Sequence, residues 1–544
     1  MGAKKSYVWK RQGYLVLSII LAAIVILSGC SDKPTDGAVT TSGTAAADSA
    51  KPAEDDPYAK LPNAVSISMF DRGLVSSDEG TYEQNRWTKW IQEQSGIDVT
   101  IVPVPRGTAQ DKLNVLLASG QAPDMIWEFD RNYIGKLVTQ GSIQPLDEYI
   151  EKYSTSYKKY LAENPELKPY VTFDGKMYAF TSKRPITTVA NHGIWIRQDW
   201  LDKLNLKAPT TTDELIAVAQ AFKTMDPDGN KKDDTVPLMG TTTTDEISAM
   251  FGVHPSEFIQ EDGKIQFGPL TDRYRDALGY EKKLYDLGLF DKEYLTDKNN
   301  QRAIQNWTTG KSGICFCNWG GGNIDNWMAD LKKNIPTAMP VPMEPVASKY
   351  GKYGLYQETE ASIYVTFNKE MKNPKAAVEY LDWIIDKGWY TLVNGIEGTH
   401  YKLVNGVEQI TNQEIYKKEV AYAAEYGVLR QQVVKPEDLL VSAALDPVSQ
   451  ELAKQKVKSL ELAMKNKYRR DFPFQPNITE INEVKASFQT VQLEIKAQAI
   501  LGGAAYTEQK AIDELRKEWD RLGGKKADPL IQEWYAANKG LVKH

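Results

Sequence analysis

Apolar positions along this chain fall into two spacings, and from residue 65 their order is informative. Val65-Ser-Ile-Ser-Met-Phe70 alternates with the period of two expected of a strand with one buried face. Residues 82–95 change to helical spacing, which sets Trp87, Trp90 and Ile91 on one side and stops at Gly96. Asp98-Val-Thr-Ile-Val-Pro-Val104 returns to strand, and residues 109–119 form a second helix with Leu113, Leu116 and Leu117 on one face. Met125-Ile-Trp-Glu-Phe129 is a third strand. This β-α-β-α-β order predicts an α/β fold, a parallel sheet with helices on its faces.

Further along, the alternation is less regular. Gly193-Ile-Trp-Ile-Arg197 reads as a buried strand, followed by helices at 199–204 and 213–223. Residues 271–287 predict a helix ended by Gly288, Ser362-Ile-Tyr-Val-Thr-Phe367 a late strand, and 374–386 a helix with Leu381, Ile384 and Ile385 inward. From about residue 414 to the end the pattern is mostly helical, and no internal repeat occurs. Trp87, Trp90, Trp200 and Trp383 fall on core-facing positions.

The first 60 residues follow neither period. Lys4, Lys5, Lys10 and Arg11 precede an apolar run at 14–27, and no acidic residue occurs before Asp32. That run suits the core of a signal peptide and falls short of the roughly 20 residues needed to cross a bilayer. It ends in Leu27-Ser-Gly-Cys30, which resembles the lipobox of bacterial lipoproteins. The resemblance implies cleavage before Cys30, lipidation of its thiol and attachment to the outer face of the cell membrane; an ordinary secretory signal is the alternative. Cys30 is one of three cysteines in 544 residues. Residues 31–60 are rich in Ser, Thr, Ala, Gly, Pro and Asp. They bury too little to offset their ordering entropy and read as a tether whose ends lie roughly 30 Å apart.

The chain has 72 acidic and 66 basic residues, and four of the basic ones lie before Cys30. An acidic body excludes nucleic acid as a partner, since that requires a basic footprint. It also argues against flat adsorption on anionic lipid. The length beyond the tether exceeds one domain, so two or more lobes are expected, in a monomer.

At Ile196-Arg-Gln-Asp-Trp-Leu-Asp-Lys-Leu-Asn-Leu-Lys-Ala-Pro-Thr-Thr-Thr-Asp-Glu-Leu215 the sequence resembles the family-1 extracellular solute-binding proteins. Thr211 or Thr212 can cap the last helix of that segment. Ser119-Gly-Gln-Ala-Pro-Asp-Met-Ile126, Asn394-Gly-Ile-Glu-Gly-Thr-His-Tyr401 and the glycine- and tryptophan-bearing terminal helices around Trp519 and Trp534 are similar to further pieces of that family. The resemblance implies two α/β lobes of the periplasmic-binding-protein type with a hinge, a cleft and a helical C-terminal extension. It also implies capture of an oligosaccharide and delivery to the permease subunits of an ABC transporter. On this reading residues 1–29 are the signal peptide, 30–60 the lipid-anchored linker, 61–190 the first lobe, 191–365 the second, and 366–544 a mainly helical part completing both.

Asp226-Pro-Asp-Gly-Asn-Lys-Lys-Asp-Asp-Thr-Val-Pro237 places Asp226, Asp228, Asn230 and Asp234 at positions 1, 3, 5 and 9 of an EF-hand-like calcium loop, with the Lys232 carbonyl at position 7. Related solute-binding proteins, including alginate-binding ones, resemble this loop and often carry Glu where this chain has Thr235. Gly229 sits one place early and Pro237 stands in place of the position-12 acid. The loop predicts structural calcium; a plain acidic turn is the alternative. Gly310-Lys311-Ser312 lacks the upstream glycine of a phosphate-binding loop. Cys315 and Cys317 read as two small buried hydrophobes, because a disulfide across one residue strains its geometry.

No His-Glu-x-x-His or Gly-x-Ser-x-Gly motif occurs, so a binding protein rather than an enzyme is expected. A glycosidase or lyase with paired carboxylates, and a surface sensor coupled to a membrane kinase, are the alternatives. Sugars present C–H faces to aromatic rings and hydroxyls to planar polar groups, and ligands of open α/β sheets lie beyond the carboxyl ends of the strands. That rule selects Asp71 and Arg72 after the first strand, and Trp127 and Asp130 at the end of the third. Trp195 on the crossover strand, Trp319 before Gly320-Gly-Gly322, Tyr356 and Glu397 complete the expected ligand set.

Overall fold

The computed structural model describes residues 56–542 except 191, 241–244, 298–299, 319–322 and 444. Cys30, the signal segment, most of the tether and Trp319 lie outside the described residues. The folded body starts within the stretch read as tether, where Tyr58 packs edge-on against Tyr149 and Tyr153.

Eight strands build two four-stranded sheets. They are β1 (Ala64–Asp71), β2 (Asp98–Pro105), β3 (Met125–Glu128), β4 (His192–Arg197), β5 (Leu238–Met239), β6 (Ile314–Asn318), β7 (Pro340–Met343) and β8 (Tyr364–Phe367). The first sheet has the order β8-β3-β1-β2. In it β1 runs parallel to β2 and β3, and β8 runs antiparallel to β3 with Tyr364 opposite Glu128 and Phe367 opposite Met125. The second has the order β7-β4-β6-β5, with β4 antiparallel to both of its neighbours. All four residues of β3 and of β8 are buried, as expected of strands covered on both faces.

The principal helices are α1 (Arg86–Ser95), α2 (Ala109–Ala118), α3 (Arg131–Thr139), α4 (Ser156–Glu163), α5 (Thr212–Thr224), α6 (Asp272–Asp286), α7 (Pro374–Trp383), α8 (Pro447–Lys465) and α9 (Thr479–Leu501). Local chemistry sets their ends. α1 begins four residues later than its apolar spacing suggests, because the Asn85 side chain accepts from Trp87 N and Thr88 N while Thr88 Oγ1 returns to Asn85 N, a capping box. Thr211 caps α5 through Glu214 N, and Thr271 caps α6 through Tyr274 N. No described helix is long and apolar enough to cross a membrane.

Each sheet has its own core. One joins buried residues of 65–180 and 361–429, the other those of 194–355 and 468–531. The strand β8 therefore belongs to the first lobe, and the second lobe gives way near Leu355 rather than at residue 365; Tyr364 is claimed by Glu128 across a sheet formed far upstream. Two of the crossing segments run side by side, with Phe180 bridging Val365, Lys183 bridging Ala361, and Arg184 N donating to Glu360 O at 2.7 Å. These paired segments connect the two lobes and stand where the two-lobed fold has its hinge.

A third cluster gathers Trp195, Trp307, Cys315 and Cys317 with Leu452 and Leu460 of α8. Both cysteines are buried there, and alternation on β6 turns them to one side.

Candidate functional site

A cavity of about 250 Å³ lies between the two lobes, beyond the carboxyl end of β3. The first lobe lines it with Phe129, Asp130, Arg131, Tyr170 and Tyr364, the hinge with Arg184 and Glu358, and the second lobe with Glu257, Tyr356, Arg470 and Phe472. Larger cavities occur among the described residues, including one of about 270 Å³ walled by second-lobe residues around Phe267 and Trp519. One of about 570 Å³ is walled by second-lobe residues alone, between His254 and α9, and one of about 590 Å³ by the first lobe and the hinge. A ligand can drive closure only by differential contact with both lobes, which singles out the interlobe cavity.

Its side chains are held from both sides. Asp130 caps α3, with Oδ1 accepting from Asn132 N at 2.8 Å, and so presents the next residue, Arg131, to the cavity. The Arg131 guanidinium lies between the rings of Phe173 and Phe474, at 4.2 and 4.0 Å from their centroids. It donates to the carbonyls of Tyr170 at 2.8 Å and Thr172 at 3.0 Å. Burial lowers its pKa to about 10, so it stays charged at neutral pH. Opposite, Arg470 donates to Gln357 O at 2.8 Å and pairs with Glu257 at 3.4 Å, over the rings of Tyr468 and Tyr356. Burial opposes the Arg470 charge, but Glu257 and the neighbouring tyrosines outweigh it and raise its pKa. Burial pushes the Tyr170 and Tyr356 hydroxyls up to about 12, so both stay neutral hydrogen-bonding groups. Aromatic faces beside fixed planar donors and acceptors suit a polyhydroxylated ligand.

Of the residues selected from the sequence, the structure brings only Asp130 and Tyr356 to this cavity. Trp127 is 2% exposed and packs beneath Phe70 and Phe129, at 4.3 and 5.4 Å between ring centroids; the aromatic that emerges at the strand end is Phe129. Trp195, also 2% exposed, belongs to the third core cluster. Asp71 is exposed and accepts from Gly73 N at 2.8 Å, while Arg72 pairs with Glu425 at 2.7 Å. Glu397 is exposed on a turn bridged to Tyr401, in the part of the chain that completes the first lobe rather than in a second-lobe loop. Trp319 lies outside the described residues. Sequence reasoning passed over Arg131, Arg184, Glu257, Glu358 and Arg470. Arg131 was one position beyond a residue already selected, and Arg470 sits in the Arg469-Arg-Asp-Phe-Pro-Phe474 stretch, which is irregular in the structure rather than helical.

At the acidic loop, Asn230 Nδ2 bridges Asp228 Oδ2 at 2.8 Å and Asp234 Oδ1 at 2.9 Å, while Asp226 accepts from the backbone N–H groups of Asn230 and Lys231. Partial burial and the charges of Asp226 and Asp234 raise the pKa of Asp228. Lys311 pairs with Asp234 at 2.9 Å, Thr235 is buried, and Lys232 N donates to Asn230 Oδ1. Among the described residues no three His, Cys, Asp or Glu side chains are gathered as a metal cage. Here the Asn230 amide nitrogen, a donor, stands between the carboxylates, as a cation would.

The family described as bacterial extracellular solute-binding protein matches residues 76–391. The polygalacturonan/rhamnogalacturonan-binding protein YtcQ of Bacillus subtilis is 30% identical over 336 residues, 58% of this chain and 64% of that protein, so the match spans a little under two thirds of that relative. Lipoprotein LipO of the same bacterium is 25% identical over 485 residues, covering 85% of this chain and 91% of that protein. Among solved structures, the ABC-transporter substrate-binding protein FusA of Streptococcus pneumoniae in complex with kestose aligns with a TM-score of 0.67 at 20% identity, over 88% of this chain and 99% of that one. The likeness shows the fold to be that of the two-lobed substrate-binding proteins.

Proposed function

The chain belongs to the bacterial extracellular solute-binding proteins, and on that premise we propose that it captures an oligosaccharide between its lobes and delivers it to the permease of an ABC importer. The observation that carries this is the interlobe cavity itself, in which Phe129 and Arg131 of one lobe face Tyr356 and Arg470 of the other across a paired-strand hinge. Closure on a ligand that touches both sides gives the permease a means of distinguishing loaded from empty receptor. The relatives agree in class and differ in sugar: YtcQ is named for polygalacturonan and rhamnogalacturonan, FusA for fructooligosaccharides. A receptor returns its ligand unchanged. Long incubation of purified protein with a bound oligosaccharide, followed by chromatography, is expected to recover the intact sugar; shortened or unsaturated products replace the receptor reading with a glycosidase or lyase.

We infer that Cys30 carries the lipid that anchors the protein, in keeping with the lipobox-like Leu27-Ser-Gly-Cys30 and the relative LipO. Cys30→Ala is expected to leave the membrane fraction or remain unprocessed; a variant that is processed and stays membrane-bound contradicts the anchor.

We infer further that Asp226, Asp228, Asn230 and Asp234, with the Lys232 carbonyl and Thr235 beside them, hold a structural calcium ion. Support comes from the mutual repulsion at Asp228, which a hard cation relieves. Bound to the folded state alone, the ion stabilises it by mass action. Chelator is expected to lower the melting temperature of the wild type and to leave that of Asp228→Ala unchanged. Identical melting curves with and without chelator in the wild type make the loop an acidic turn.

A further inference from the structure

The charges around the interlobe cavity do not balance in pairs, and the imbalance points to the ligand. Among the lining residues, Glu257 is taken by Arg470 and by the Tyr468 hydroxyl, at 3.4 and 3.3 Å. Glu358 faces Arg184 at 3.9 Å. The third carboxylate, Asp130, turns Oδ1 onto its own helix. Arg131 is left over. Its Nε and Nη2 donate only to the main-chain carbonyls of Tyr170, Thr172 and Pro169, its two faces are covered by Phe173 and Phe474, and it has no carboxylate partner among the described residues. The edge at Nη1 is what this arrangement leaves for the cavity.

A second cation lies in the wall of the 570 Å³ cavity. Lys485 of α9 is half-buried with its ammonium 5.6 and 5.5 Å from the rings of Phe258 and Phe267, has no carboxylate within ion-pair distance among the described residues, and is favoured at longer range by Glu257 and Asp130.

Resting on the sugar-capture reading, we propose that the oligosaccharide is acidic and that Arg131 holds a uronate carboxylate in the interlobe cavity. A guanidinium held by rings on both faces and by carbonyls at Nε and Nη2 presents Nη1 in a fixed direction, a charged donor suited to one oxygen of a carboxylate. Closure withdraws water from this group. A neutral sugar hydroxyl would leave a buried charge without a counter-charge, which is strongly unfavourable, whereas a carboxylate supplies both the charge and the acceptor. Neutral ligands are therefore rejected by the ion they leave unpaired, in the way that sites built around a polar group reject analogues that cannot pair with it.

The test uses the full mature protein in calorimetric titrations with trisaccharides of galacturonate, mannuronate and guluronate, each beside its methyl ester, which keeps the shape and removes the charge, and with kestose as a neutral glycan. One free acid is expected to bind at least tenfold more tightly than its ester, with Arg131→Gln bringing the acid to the affinity of the ester and Arg131→Lys recovering part of the difference. The acid–ester comparison on the wild type stands even where a variant fails to fold. Equal affinity for acid and ester, binding of kestose alone, or undiminished acid binding by folded Arg131→Gln overturns the assignment and leaves the sugar receptor intact. Absence of binding by acid, ester and kestose alike counts against the sugar-capture reading itself.

Discussion

Replacing Asp382 with Ala is expected to lower the unfolding free energy of the first lobe by about 3–4 kcal/mol, because one buried carboxylate satisfies the start of a helix that has no cap of its own. Asp382 is 9% exposed on α7. It accepts from Thr155 N at 2.6 Å, Ser156 N at 2.9 Å and Tyr157 N at 3.1 Å, and from Ser154 Oγ at 2.8 Å. The residue that should cap α4, Thr155, makes no side-chain capping bond. The carboxylate is therefore an N-cap delivered from another part of the chain, at the helix end where negative charge is favoured. Alanine strands three backbone donors and a hydroxyl, each costing about 1–3 kcal/mol when left buried and unpaired, less what entering water returns. Asp382→Asn keeps an acceptor and is expected to lose about half as much. Urea unfolding followed by tryptophan fluorescence reads both; a loss under about 1 kcal/mol for the alanine variant means that water replaces the carboxylate.

The periodicity of the first three strands and two helices was legible because each is a local pattern, and the structure pairs β1 with β2 and β3 in the parallel order that their alternation implies. The fourth strand of that sheet was legible as a strand but not as a neighbour. Nothing in Tyr-Val-Thr-Phe367 states that it returns across the hinge to lie against β3; that pairing joins parts of the chain far apart in sequence, which a local pattern does not record. The boundary read at 365 falls inside β8, whose residues join the first core. At α1 a hydrophobic face indicated the helix while Asn85 decided its first residue, since a hydrogen-bonding side chain overrides apolar spacing at a terminus.

The candidate site was less legible than the fold. The rule that ligands lie beyond strand ends selected Asp130, which the structure places on the interlobe cavity, but size and chemistry alone favoured Trp127, which β3 buries from both faces, over Phe129, which the strand end releases. Trp195 misled in the same way, as a large aromatic on a strand covered on both sides. Glu358, Arg470 and Phe474 reach Asp130 only through the chain crossings, so no spacing in the sequence records their convergence. What the sequence did carry was a run of adjacent basic and aromatic residues at 469–474 whose mixed character is unsuited to a helix face.

Ligand is expected between the lobes rather than in any of the larger cavities, and Tyr356→Ala tests this most directly. Tyr356 lines the interlobe cavity, its ring 5.3 Å from Tyr468 and 5.1 Å from His254, with the Arg470 guanidinium 5.6 Å from its centroid. Removing one such aromatic face costs about 1–3 kcal/mol of binding, or roughly 5- to 150-fold in affinity. Gln489→Ala, in the wall of the 570 Å³ cavity, is the matched control. Titration of wild type and both variants with an oligosaccharide that the wild type binds is expected to show weakened affinity for Tyr356→Ala and unchanged affinity for Gln489→Ala, with the melting temperatures of the unliganded proteins close together. Unchanged binding by Tyr356→Ala with loss of binding by Gln489→Ala would place the ligand inside the second lobe and contradict the account.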